Sequence, residues 1–327
     1  MEGYVTQHLL YLAIGAAFFV YTFLYGPILG SGSVFHVISK EEADKKAVIH
    51  SVVPFWDGAG VWLIAAAVLI WGGFPQAYAT IFGGFFLAVF LLLISLLLSI
   101  ASIEMYLKDE KRRNFWANCY FIGNLVSSLI LGVALGNIIM GIPMSKEMWF
   151  TGNFFTLLRP YALLVGLLGL SLLITHAMGY LIIKVEGNVP TKAQEIIKYS
   201  NSAFLILFVI FVFVTHHMFK NLPLLFWIIS AIIILLSISM FFVRSNYFWI
   251  STAKLFFSWC LIGVIQYPYL VRGIGDIGIT IFNNSSSPVT QKVMLAILAI
   301  GLPIVALYTY YSYFVFRGKF SGKEQMY

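Results

Sequence analysis

Residues Val52–Trp71 read VVPFWDGAGVWLIAAAVLIW, twenty residues with one charge, Asp57. About 20 apolar residues, each rising about 1.5 Å along a helix, cross a hydrocarbon layer of about 30 Å. The stretch therefore reads as a membrane span, and an acid inside it is unusual. Eight more apolar runs follow the same rule: Leu9–Ile28, Ala77–Ile103, Phe115–Met140, Pro160–Ile183, Tyr199–Met218, Leu222–Val243, Phe248–Leu270 and Val293–Phe316. The sequence thus predicts an all-α membrane protein of about nine transmembrane helices, one integral membrane domain over residues 1–327. The run Ala77–Ile103 is long enough to tilt or to extend past the bilayer.

Composition supports this reading. Of 327 residues, 61% are hydrophobic and 10% charged, against about 25% charged in soluble domains. Too few polar side chains exist to cover a water-exposed globule. The 30 Phe, 18 Tyr and 8 Trp suit a protein whose rings anchor at two membrane interfaces. A formal charge of +7 would suggest nucleic acid if the basic residues were clustered in a soluble domain. They lie instead in short loops, so no nucleic-acid partner is expected. Fourteen Lys and Arg fall on one side of the spans and five on the other, with Lys254 inside the eighth span. By the positive-inside rule the N-terminus is outside and the C-terminus cytoplasmic, and Lys254 snorkels toward the cytoplasmic interface.

The longest loops, Leu29–Ser51 and Val271–Lys292, are too short for a soluble domain. The sequence contains no P-loop, HExxH, GxSxG or CxxC motif, and its two cysteines, Cys119 and Cys260, lie in apolar runs and pack as small hydrophobes. Met1–His8 carries no Lys or Arg, which argues against a cleaved signal peptide.

Ionisable groups inside spans mark candidate functional sites. Among 13 acidic residues, only Asp57 and Glu104 lie in or at the edge of spans. Both fall on the expected cytoplasmic side and read as stations for protons arriving from there. The competing reading makes Asp57 a first-turn carboxylate held by a helix N-terminus behind Pro54, and Glu104 an interfacial acid. His176 and the adjacent His216 and His217 fit helix contacts or interfaces better than metal ligation, since neighbouring helical residues point about 100° apart. Gly123, Ser127, Ser128, Gly132 and Gly136 predict close helix packing in the fourth span.

Several motifs then resemble one family. Ser51–Leu63 (SVVPFWDGAGVWL) is similar to the S-[IV]-x-P-x-W-D-G-x-x-V-W-L signature of subunit II of the cytochrome bd quinol oxidases. Phe74–Ala79 (FPQAYA), Gly83-Gly84-Phe85, Arg113–Trp116 (RNFW), Gly132–Gly141 (GVALGNIIMG), Thr151–Phe155 (TGNFF) and Thr280–Ser287 (TIFNNSSS) agree in order and spacing. The likeness covers most of the chain and is strongest over residues 50–160.

The resemblance implies two four-helix bundles plus one helix, in a bacterial or archaeal cell membrane. It implies a complex that oxidises quinol and reduces dioxygen to water. The b-type and d-type haems then belong to a homologous subunit I, with a bound quinone and small single-helix subunits as further members. Subunit II carries no haem ligand of its own; it stabilises the haem subunit and provides proton or oxygen access. On these terms Trp56, Asp57 and Glu104 match proton-path positions, and Trp62 a position near an oxygen route. Two departures mark a divergent branch. Tyr25-Gly26-Pro27-Ile28 stands where relatives often carry Asp-Gly-x-Asp, and Ser99-Ile100-Ala101 stands in place of Arg-Pro-Val. A secondary transporter or ion channel, and a haem-binding electron-transfer subunit using His176 or His216, remain as alternatives from composition alone.

Overall fold

A computed structural model describes residues 2–219, 221–243, 245–275 and 277–320. Lys220, Arg244 and Lys323, which entered the count of basic residues, lie outside the described residues. Twelve α-helices occur in order among the described residues: α1 (Glu2–Ser33), α2 (Phe35–Ile38), α3 (Glu42–Val52), α4 (Trp56–Gly73), α5 (Pro75–Gly84), α6 (Phe86–Lys108), α7 (Arg113–Met140), α8 (Pro160–Lys184), α9 (Val189–Met218), α10 (Leu224–Phe242), α11 (Tyr247–Gln266) and α12 (Pro288–Val315). Nine of them are long and apolar enough to cross a bilayer. A small hairpin, β1 (Tyr269–Arg272) with antiparallel β2 (Gly278–Thr280), fills the segment before α12.

Three boundaries differ from the sequence expectation. The second span begins at Trp56, because Val52 closes α3 and Pro54 lies in the turn between the two helices. Proline has no N–H to extend α3. The long third run is two helices, α5 and α6, broken at Phe85 after Gly83-Gly84. Paired glycines weaken a helix, and Gly84 lets Phe150 approach: a Cβ at Gly84 would fall 2.7 Å from the Phe150 Cβ. The sixth span starts ten residues early, at Val189, through the charged stretch PTKAQEIIKY.

The long helices pack as two bundles. In the first, α1 contacts α4 and α7, and α7 contacts α6; in the second, α8 contacts α9 and α11, and α10 contacts both α9 and α11. The bundles meet where α8 lies against α7 and α1, and α12 lies along α1 and α4. The small residues of α7 make this joint possible. A Cβ at Gly132 would lie 2.7 Å from the Gly166 Cα, and one at Gly136 2.7 Å from the Ala162 Cα. Two helix backbones thus touch across the bundle interface, where packing rather than hydrophobic exclusion holds helices together in lipid. Gly123 plays the same part against Ser95 and Ser99 of α6, beside a 2.8 Å hydrogen bond between Ser95 and Ser127.

Candidate functional site at the start of helix α4

Asp57 lies in the first turn of α4, not within a lipid-crossing stretch. Its side chain is exposed, and no hydrogen bond or ion pair joins it to another described residue. The preceding residue of the cap, Phe55, provides no side-chain acceptor. The carboxylate therefore sits beside free helix N–H groups and the positive end of the helix dipole, where a negative charge is favoured. Trp56 beside it is half-buried and packs on the first-bundle core. Trp62, two turns further along, is 8% exposed, and its indole N–H has no acceptor among the described residues.

Glu104 lies elsewhere. It sits in the last turns of α6 in a 3.0 Å ion pair with Lys108. Since α6 packs on α7 and α5, while α4 packs on α1, α5 and α12, the two acids belong to separate surfaces and no hydrogen bond links them.

Sequence reading missed the acids that the fold does bury. Asp44 of α3 pairs with Lys192 of α9 at 2.7 Å, and Glu42 accepts a 2.7 Å hydrogen bond from Tyr106 of α6. The signal was present: Asp44, Ala47, Val48 and Ser51 recur at helical spacing in a segment assigned to a loop. Asp109 similarly accepts from the Trp116 indole at 3.1 Å, and Glu110 pairs with Arg113 at 2.6 Å. These pairs explain the RNFW stretch as a structural clasp at the start of α7. At the opposite end of the helices, Arg159 donates to Asn137 and Gly141, and Arg272 to Gln266 and Ile265. Burial lowers the pKa of both guanidinium groups.

The remaining motif residues close turns. Asn153 and Thr156 form a reciprocal capping box. Asn283 accepts from the Thr280 N–H at 2.7 Å, and Ser287 caps α12 through the Thr290 N–H at 3.2 Å.

Two second-bundle groups were placed differently by sequence and structure, or resolved by it. Lys254 does not snorkel. It is fully buried, with Nζ 2.7 Å from Asn201 Oδ1, 4.0 Å above the Phe204 ring and 3.9 Å from Met240 Sδ. Asn201 lies level with it on α9 and supplies the acceptor, so the amine stays inside. His176 uses both ring nitrogens, one toward Ser251 Oγ at 3.0 Å and one toward the Phe23 carbonyl at 3.1 Å, and stacks on Phe248. A ring with both nitrogens engaged does not fit haem ligation. Among the described residues no three His, Cys, Asp or Glu side chains cluster as a metal site.

Fold and site together define a multi-span helical membrane protein whose specific motifs gather at helix ends. The chain belongs to the cytochrome bd terminal oxidase subunit II family, whose profile matches residues 6–316. It is 25% identical to cytochrome bd-I ubiquinol oxidase subunit 2 of Escherichia coli (strain K12), over 98% of this chain and 96% of that protein. It is also 25% identical to cytochrome bd ubiquinol oxidase subunit 2 of Bacillus subtilis, over 98% of each. A shorter match, 34% identical over 56% of this chain, joins it to a probable cytochrome oxidase subunit 2 of Haemophilus influenzae. The fold superposes on a chain of bd oxidase from Geobacillus thermodenitrificans with a TM-score of 0.74 and 17% identity, covering 96% of this chain and 99% of that one.

Proposed function

We propose that this chain is the non-haem subunit II of a quinol:dioxygen oxidoreductase in a bacterial cell membrane, with its N-terminus outside and its C-terminus cytoplasmic. The observation that carries this reading is the family match over residues 6–316. It favours an oxidase component over the transporter or channel alternative. A homologous subunit I is the partner and holds b-type and d-type haems, which supply the electron transfer to dioxygen. The complex takes its quinol from the membrane, and small single-helix subunits and a bound quinone complete it.

This chain's residues contribute packing and access. The exposed apolar faces of α4 and α12, with Ile64, Trp71, Ile300 and Leu307 among them, meet lipid or the partner. In the assembled complex Asp57, exposed at the start of α4, takes protons from the cytoplasm, with Trp56 holding the turn. Glu104 serves a separate cytoplasmic surface, and Trp62 borders an oxygen route.

Co-purification of the full complex, followed by a haem and quinone inventory and quinol-dependent oxygen uptake, tests the reading. Haem absorption with quinol oxidation supports it. A complex with its partner present but without both would overturn it, and a stoichiometric b-type haem on this chain alone would move haem binding to it.

A further inference from the structure

Helices α1, α4 and α12 meet at one junction. Four buried polar atoms on these helices lack a hydrogen-bond partner among the described residues: Tyr21 Oη, Tyr25 Oη, Trp62 Nε1 and Thr309 Oγ1. Tyr21 and Tyr25 stand one turn apart on α1, each 2% exposed, with rings stacked at 5.3 Å. The Tyr25 ring faces α4, where a Cβ at Gly60 would lie 3.9 Å from it. The two phenols are sealed within this chain, so neither lipid nor a partner subunit reaches their hydroxyls. Membrane interiors hold no bulk water, and buried polar groups are satisfied with few exceptions. Ordered water with two to four polar partners is the usual means.

A cavity lies at the same junction. It is bounded by Leu24 of α1, Pro54, Gly58 and Ala59 at the start of α4, and Thr309 and Tyr313 of α12. Its room for the centre of a water-sized sphere is about 10 Å³, close to the roughly 10–15 Å³ that one water needs. The unpartnered Thr309 hydroxyl belongs to its wall. Two other wall residues, Leu24 and Ala59, are chain neighbours of Tyr25 and Gly60. At its other end Gly58 adjoins Asp57.

We infer that this junction binds a short file of ordered water that joins Thr309 to Tyr25 and Tyr21 and carries protons inward from the Asp57 end of α4. The inference rests on the proton-access reading above and deepens it. Hydroxyls and water then do the carrying along a stretch of α1 that has no carboxylate. No bond other than those to the moving proton is made or broken: each hydroxyl accepts one proton on one side and releases one on the other.

The test uses the assembled complex. A structure at a resolution that shows buried water should place density within hydrogen-bond reach of Thr309 Oγ1 and Tyr25 Oη. Tyr25→Phe and Thr309→Val should keep the haem content, cut turnover about tenfold and enlarge the solvent deuterium isotope effect. In a dry junction, Tyr25→Phe would instead raise the unfolding temperature by deleting an unsatisfied hydroxyl, and the water density would be missing; either result overturns the inference. Asp57→Asn separates the two readings. If it slows turnover while Tyr25→Phe and Thr309→Val do not, the water file falls and Asp57 keeps its role. If all three variants turn over normally, proton access through this chain falls with it.

Discussion

The two bundles treat their buried polar groups in opposite ways. In the second, Lys254 has Asn201, His176 has Ser251 and the Phe23 carbonyl, and Tyr161 has Thr215. Ser230 is the exception there. In the first, along α1 and α4, Tyr21, Tyr25 and Trp62 reach no protein partner. A fully partnered network fixes helix positions and resists change. An unpartnered set inside a sealed joint invites water. The contrast separates a bundle built for rigidity from one built to pass small polar species.

The strongest attempt to break that contrast removes one partner from the rigid side. Asn201→Leu leaves the Lys254 amine buried without its acceptor and should cost about 3 kcal/mol, read by chemical unfolding of the complex. Lys254→Met, which removes the amine itself, should be nearly neutral. Equal losses in the two variants would show that Asn201 acts through packing alone. Next comes the joint between bundles. Gly166→Leu meets Val133 and the backbone of α7 and should cost roughly 1–3 kcal/mol, seen as a lower unfolding temperature and reduced co-purification with the partner.

On the first-bundle side, Asp57→Asn should lower turnover of the complex several-fold at unchanged subunit content, with a stability loss of only about 0.3–1 kcal/mol from the helix dipole. A large loss of assembly with normal turnover per complex would make Asp57 a structural acid. The smallest effect belongs to Glu104→Gln. Its pair with Lys108 is 43% and 73% exposed on the two side chains, so its removal should change stability by at most a few tenths of a kcal/mol. Any larger change in turnover would show that Glu104 acts on protons rather than on Lys108.

Much of the architecture was legible because apolar runs of about 20 residues report spans directly. The ends were less so. The amphipathic stretches Glu42–Val52 and Val189–Tyr199 are helical but polar enough to read as loops. Pro54 moved the start of α4 because its missing N–H matters to α3, an element the hydropathy did not show. The facing of the helices was the least legible. Lipid and core are both apolar, so helix α4 is hydrophobic on every side and gives no periodic signal of which face is buried. That is why Asp57 read as an acid inside a span, although the structure exposes it, and why Lys254 read as reaching for the surface, although it is enclosed. The partner that keeps Lys254 inside, Asn201, is 53 residues distant in sequence, and no local pattern connects them. The family motifs located the start of α4 correctly; they did not show that Tyr25 and Thr309 converge beside it.

Helix α12 rests only along α1 and α4, yet it is fastened near both ends. Gln291 bonds to Thr6 near its start, and the Lys184 amine holds the Phe316 carbonyl at 2.7 Å past its end. During synthesis α1 and α4 leave the ribosome more than 200 residues before α12. The cavity wall at Thr309 is thus the last piece to arrive, and until then the faces of Tyr25 and Gly58 lie open on one side. Maturation of the junction waits on completion of the chain, so an immature protein has no enclosed route to leak protons.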